Sequence, residues 1–256
     1  MNRGIQTSLD ATLAYAKQVF QEQLSYGLAH RIRKDFTSKA KAGPAFAAFH
    51  AVEYGNPPSS EDLDSAWSDV ETALRHFFGV DEIWPMLESA QQRIAQRPLT
   101  FTIDGISARA VPDVILFADQ TPLSIIDWKV SIWEARDYRL QLALYALALT
   151  RCDRQSGFPD SWSETKPSDI RLLEVQLLSG ETRQHTISDR DIYAIEDYIV
   201  QTADHIRTVS AQPAFRDLCA EDFAPAQFPS VCRSCNFRKI CWESGNGRTR
   251  NQSLFD

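Results

Sequence analysis

Apolar residues recur three and four positions apart at Leu9, Leu13, Ala16, Phe20 and Leu24, a spacing that predicts helix over residues 5–40. GPAFAAFHAVEY, residues 43–54, is apolar nearly all round and predicts a buried helix. YGNPPSS interrupts the pattern. SSEDLDSAWSDVETALRHFF then reads as an amphipathic helix whose acidic first turn suits the positive end of the helix dipole. A further helix is expected over 83–95. The period then changes to two. LTFTI, a turn at Asp104-Gly105, ISARAVPDVILFA, a turn in ADQTP and PLSIIDWKVS predict a meander of strands. Residues 134–151 return to a strong helical pattern, and 152–168, with Gly, two Pro and several Ser, read as a loop. IRLLEVQLL and ETRQHTI predict paired strands and 189–209 a long helix, with an irregular tail from Gln212. Helices, a strand meander, a helix, strands and a helix in that order imply a layered core of the α/β or α+β kind. The expected division is an N-terminal helical region at 1–97, a core at 98–210 and a cysteine-bearing tail at 211–256.

One stretch departs from the core pattern. In SIIDWKVS, residues 124–131, alternation puts Ile126, Trp128 and Val130 on one face and Ile125, Asp127 and Lys129 on the other. A buried charge is costly unless it is paired or binds a metal. An edge strand with a surface ion pair also accounts for the octapeptide by itself. The preceding strand, VPDVILF, carries Asp113. Antiparallel pairing of the two strands would bring both carboxylates to one end of the sheet. They repel unless a cation lies between them, and a hard divalent ion, Mg2+ or Mn2+, suits oxygen donors. A lysine beside such a site is placed to act on a phosphate oxygen or an attacking water, as phosphodiester cleavage requires.

Composition is ordinary for a globular protein. No run reaches the ~18 apolar residues of a membrane span, and the start lacks the apolar core of a signal peptide, so a cytoplasmic protein with no membrane partner is expected. The net charge of −7 argues against indiscriminate nucleic-acid binding. Yet residues 30–41 carry five Lys/Arg against one Asp, and residues 232–250 five against one Glu. These segments are either solvated polar stretches or a local phosphate-binding surface. Five cysteines, an odd number, point away from a disulfide framework. Three of them, Cys232, Cys235 and Cys241, form C-x2-C-x5-C.

VPD followed by IIDWK resembles the signature of the PD-(D/E)xK nuclease superfamily. Gln141 and Tyr145, four apart on one helical face, resemble the Q-x-x-x-Y motif of its RecB-like branch. His50 resembles the histidine of that branch's G-x-x-x-H helix, although Gly43 precedes it by seven residues. VCRSCNFRKICWE resembles the C-terminal segment of RecB-like nucleases with an iron–sulfur cluster, including AddB-type nuclease domains and CRISPR adaptation exonucleases. Such a cluster takes four thiolates. The family's upstream cysteine is absent here. His30 stands near its place, and Cys219 and Cys152 are other candidates for the fourth ligand.

The resemblance implies a restriction-endonuclease-like α/β core, a central mixed β-sheet flanked by helices. It implies a metal-dependent DNA nuclease, an exonuclease, serving DNA repair, CRISPR adaptation or phage defence. Asp113, Asp127, Lys129, Gln141 and Tyr145 would form the catalytic set, with Mg2+ or Mn2+ held by Asp113, Asp127 and His50. A [4Fe-4S] cluster on the cysteines has Zn2+ through Cys3His as its alternative. DNA, single-stranded by preference, is the expected partner, together with a helicase or a CRISPR or defence protein. Arg31, Arg33, Lys34, Arg238 and Lys239 would contact its backbone, and Trp133, Phe237 and Trp242 are available either for stacking or for packing. For Glu53, one turn beyond His50, a solvated surface position is the simpler reading. A non-catalytic subunit of the same fold, binding DNA or a protein, and an RNA nuclease are the competing functions.

Overall fold

The computed structural model describes residues 8–32, 38–118, 123–130 and 138–210, and in the tail 223, 231–232, 235–238 and 241. Helices α1 (Leu9–Ala29), α2 (Lys39–Ala42), α3 (His50–Glu53), α4 (Ser60–Gly79) and α5 (Ile83–Ser89) come first. Strands β1 (Gln92–Ala95), β2 (Leu99–Ile103), β3 (Ile106–Ala110), β4 (Val114–Phe117) and β5 (Ser124–Lys129) follow. Helix α6 (Arg139–Arg151), strands β6 (Arg171–Gln176) and β7 (Glu181–His185) and helix α7 (Asp189–Ser210) complete the order. The chain divides into two compact units, residues 1–17 with 64–204 and residues 18–63 with 205–256.

In the first unit five strands form a sheet in the order β1-β4-β5-β6-β7, and β2 pairs with β3 alone. Strands β5 and β6 are parallel, joined through α6, and the other neighbours are antiparallel. This is the mixed α/β sheet flanked by helices that the sequence predicts. Its faces bury different sets of residues. Ile94, Ile115, Phe117, Ile125 and Leu172 pack with Leu142, Ala146 and Leu149 of α6. Leu116, Ile126, Leu173 and Val175 pack with Val80, Ile83 and Ala90. Trp128 belongs to this second face, edge-on to Phe77 with ring centroids 5.1 Å apart. The period-two alternation of SIIDWK therefore assigns Ile126 and Trp128 to one layer and Ile125, Asp127 and Lys129 to the other.

Local chemistry sets the element ends. Ser59 and Asp62 form a reciprocal cap on α4: Ser59 N–H donates to Asp62 Oδ2 at 2.8 Å and Asp62 N–H to Ser59 Oγ at 3.2 Å. Ser188 and Asp191 repeat the arrangement on α7. These bonds hold both aspartate carboxyls below the ordinary range.

Three expectations are corrected. The helix expected over 83–95 ends at Ser89, because Ala90 turns extended and Gln92–Ala95 pairs with β4 as an edge strand. ISARAVPDVILFA is not one strand. It breaks at Pro112, which has no N–H for a ladder, and its halves serve different sheets. GPAFAAFHAVEY is not one buried helix. Pro44 starts a 3-10 turn at Gly43–Ala45, Phe46 and Phe49 are extended, and only His50–Glu53 is α-helical, with Val52 alone fully buried.

In the second unit, Tyr26 of α1 stacks on His30 at 4.2 Å and lies tilted against Phe46 at 6.1 Å. Glu53 is not a free surface acid: its Oε1 accepts the Ile32 N–H at 2.8 Å.

Candidate active site

Strands β4 and β5 pair Val114 with Ile126. One position further along the same register, Asp113 stands opposite Asp127. The Asp113 carboxylate turns back onto the neighbouring strand, where Oδ2 accepts the Trp128 N–H at 2.9 Å. Asp127 is 2% exposed, directly beside Ile125 on the face that α6 covers. Lys129, two residues on, points to the same side, and its ammonium pairs with Asp127 Oδ2.

Helix α6 completes the arrangement. Tyr138, Gln141 and Tyr145 stand three and four residues apart and so share one stripe of the helix. Gln141 Oε1 accepts from Lys129 Nζ at 2.8 Å, while its Nε2 donates to Tyr145 Oη at 2.6 Å and to Asp127 Oδ1 at 3.4 Å. Only this orientation of the amide works, because an ammonium cannot accept a hydrogen bond and a carboxylate cannot donate one. Lys129 Nζ also lies over the Tyr138 ring, 4.2 Å from its centroid.

The electrostatics follow from burial. Removal from water pushes the Asp127 carboxyl above its ordinary value of 3.8. Lys129 opposes the shift, and the charges of Asp113 and Glu174 add to it. Burial likewise raises the Tyr145 phenol, which stays protonated. Asp127 Oδ2 meets the Lys129 ammonium, but it receives no well-directed hydrogen bond among the described residues. Two carboxylates at paired positions of adjacent strands supply the oxygen donors that a hard cation takes. Asp113 and Asp127 are suited to Mg2+ or Mn2+ by donor type.

Sequence reasoning missed Glu174. It sits on β6 directly opposite Asp127 in the parallel register and is 1% exposed. Gln176 Nε2 donates to its Oε1 at 2.7 Å, His185 Nε2 lies 2.8 Å from its Oε2, and Arg183 Nη1 lies 3.6 Å from Oε1. Asp113 just before β4, Asp127 on β5 and Glu174 on β6 thus stand in one lateral row. The available signal was a lone acid inside the apolar run IRLLEVQLL.

The remaining sequence candidates divide between the units. Cys152 lies in the core of the first, its S–H donating to Leu149 O at 3.5 Å and its thiol pushed up to about 11 by burial. That is the environment of a packing residue. In the second unit, His50 Nε2 donates to the Cys235 carbonyl at 3.2 Å. Tyr54 donates to Asn236 O at 3.0 Å, and Arg238 lies over the Tyr54 ring. His30 Nδ1 engages Tyr26 O at 3.0 Å, and Arg31 donates to the carbonyls of Leu28 and His30. Phe237 is exposed. Cys232, Cys235 and Cys241 are half-buried. Among the described residues no three His, Cys, Asp or Glu side chains converge on one metal position. Arg33, Lys34, Trp133, Cys219, Lys239 and Trp242 lie outside the described residues. No helix among the described residues is long and apolar enough to cross a membrane.

The sequence model of the PD-(D/E)XK nuclease superfamily matches residues 15–242. Among solved structures, that of SSO0001 is 14% identical over 89% of this chain and 96% of its own, with a TM-score of 0.36. The Eubacterium rectale protein named "Putative exonuclease" is 10% identical over 79% of this chain and 68% of its own, with a TM-score of 0.36. Protein VC1899 from Vibrio cholerae is 15% identical over 72% of this chain and 47% of its own, with a TM-score of 0.29. No curated protein matches.

Proposed function

Since the chain belongs to the PD-(D/E)XK nuclease superfamily, we propose that it hydrolyses phosphodiester bonds in DNA in a reaction that depends on Mg2+ or Mn2+. The observation that carries this reading is the convergence of Asp113, Asp127, Lys129 and Gln141 at the C-terminal end of the central strand β5. An intact acid pair beside a lysine is the minimum for metal-assisted hydrolysis. It also argues for an active enzyme over a non-catalytic subunit of the same fold.

In this reading Asp113 and Asp127 hold the cation. The bound cation supplies neutralisation of phosphate charge and a lowered pKa for water. Lys129 donates to a non-bridging phosphate oxygen or orients the attacking water, offsetting the charge that builds in the transition state. Gln141 holds that ammonium in place, and Tyr145, a neutral phenol, accepts the second amide proton and fixes the amide plane. Asp113 also ties the start of β4 to β5 through the Trp128 N–H, so the two acids keep a constant separation.

Both basic sequence segments fall within the second unit. Arg31, Arg33, Lys34, Arg238 and Lys239 there would supply contacts to the phosphate backbone. Exonucleolytic action on single strands, a [4Fe-4S] cluster or Zn2+ at Cys232, Cys235 and Cys241, and service beside a helicase or a CRISPR or defence protein follow from the RecB-like motifs alone.

The test is cleavage of labelled single-stranded DNA, double-stranded DNA and RNA with Mg2+, with Mn2+ or with EDTA, beside Asp127→Ala. Metal-dependent cutting of DNA that the variant abolishes is expected. Cutting of RNA in preference would reassign the substrate. DNA binding without cutting would favour the non-catalytic reading.

A further inference from the structure

Among the described residues, three groups hold the ammonium of Lys129. Two are polar: the Asp127 carboxylate and the Gln141 amide oxygen at 2.8 Å. The third is the ring of Tyr138, with its centroid 4.2 Å from Nζ. That distance is well inside the ~6 Å range over which an aromatic face attracts a cation. Nothing in the motifs above assigns Tyr138 a role.

We propose that Tyr138 is a positioning residue for Lys129, its ring face holding the ammonium in line between Asp127 and Gln141. The inference rests on the nuclease reading, because it gives Lys129 a task that needs a fixed position.

Three features support it. Tyr138 is the residue at the start of α6, and its carbonyl accepts the first helical hydrogen bond, from Leu142 N–H at 3.0 Å. Its backbone is therefore anchored. Gln141, three residues on, shares its helical stripe, so one rigid element presents both the ring and the amide to the lysine. Finally, Lys129 is a flexible four-carbon chain that is only 13% exposed. A carboxylate and an amide oxygen fix the ammonium from two directions, and a π face restrains a third without taking a specific proton.

A stacking platform for a nucleobase is the rival role for an aromatic residue at a nuclease site. The two differ in kinetics. Loss of a stacking platform weakens substrate binding and raises KM, whereas loss of a lysine restraint lowers kcat.

The experiment compares Tyr138→Phe, Tyr138→Trp and Tyr138→Leu in the full chain. Steady-state cleavage of a labelled DNA oligonucleotide with Mg2+ is read beside proton–carbon spectra of protein labelled at lysine. The Lys129 methylene signal is identified by its disappearance in Lys129→Arg. Tyr138→Leu is expected to lower kcat about tenfold with KM within about twofold, while the Phe and Trp variants stay near wild type. The Lys129 signal should be shifted upfield by the ring current in wild type and in Tyr138→Phe, and lose that shift in Tyr138→Leu. An unchanged kcat in the Leu variant, a rise in KM alone, or equal losses in the Phe and Leu variants would overturn the proposal. If Tyr138→Leu does not fold, the wild-type and Phe spectra decide, since an unshifted Lys129 signal excludes the contact. If wild type cuts nothing, the nuclease reading fails, and the spectra still decide whether the ring holds the lysine.

Discussion

The side-chain amide of Gln141 joins Lys129 to Tyr145, accepting from the ammonium at 2.8 Å and donating to the phenol oxygen at 2.6 Å. One helix turn thereby determines where the only cation paired with Asp127 among the described residues can lie. Gln141→Leu keeps the bulk and removes both functions. We expect kcat for DNA cleavage to fall ten- to a hundredfold, roughly the loss seen when groups that orient a metal site are removed. KM should change little. Initial rates over a range of oligonucleotide concentrations measure this, and a wild-type kcat would leave the amide with no part in orienting Lys129.

Asp127→Asn separates activity from stability. Burial raises the carboxyl above its ordinary 3.8, so the folded chain binds this proton more tightly than the unfolded chain. The resulting stabilisation is complete below 3.8 and is lost as pH rises through the folded value. At neutral pH the ionised carboxylate therefore costs stability, and the neutral amide removes that cost. Urea denaturation should show Asp127→Asn more stable than wild type at pH 7, with the difference shrinking as pH falls toward 3. Cleavage should drop by on the order of a thousandfold. A variant less stable than wild type at pH 7 would mean that the Lys129 pair outweighs desolvation.

His185→Ala tests the acid beneath the site. Glu174 is buried, and His185, Gln176 and Arg183 are its partners. Removing the imidazole leaves Glu174 Oε2 without that donor in a water-poor layer, at a cost of about 1–3 kcal/mol. Thermal or urea denaturation should show this loss. His185→Gln, which restores a donor, should recover part of it. Equal stability of the Ala variant and wild type would show that water replaces the imidazole.

The legible parts of the chain were those in which local chemistry and the tertiary fold agree. Asp104 and Gly105 take φ of 47° and 76°, the left-handed pair that a two-residue hairpin turn requires and that Asp-Gly accepts at little cost. Asp113, Asp127 and Lys129 stood out because charges in apolar strands need a reason. Strand β1 was not legible. Only Ile94 in it is buried, and the segment becomes a strand by pairing with β4. Glu174 and Tyr138 escaped notice for the same reason. The sheet register across β5 and β6 gives one its neighbour, and the start of α6 places the other over Lys129. Neither relationship leaves a periodic trace in the sequence. The helix expected around His50 failed because the apolar content of residues 43–54 outweighed Pro44 in the reading.

Two glycines in helices should respond in opposite senses to alanine. Gly79, the last residue of α4, has nothing within 4 Å of an added Cβ. Gly79→Ala should be neutral or stabilise by up to about 1 kcal/mol through reduced freedom of the unfolded chain. Gly27 is buried in α1, and a Cβ there would come within 2.5 Å of Phe49 Cε2 and 2.6 Å of Cδ2. The ring would have to move, at about 1–3 kcal/mol for an overpacked contact, against a gain of about 1 kcal/mol in helix propensity. Net destabilisation is expected for Gly27→Ala. Phe49 immediately precedes His50, whose ring is tied to the Cys235 carbonyl, so a displaced Phe49 should also disturb that bond. Urea denaturation of both variants, with the His50 ring signals followed by NMR, tests the pair. If Gly27→Ala matched Gly79→Ala in stability with unmoved His50 signals, the Phe49 ring would be free to yield and the close approach at Gly27 would not hold the His50 segment.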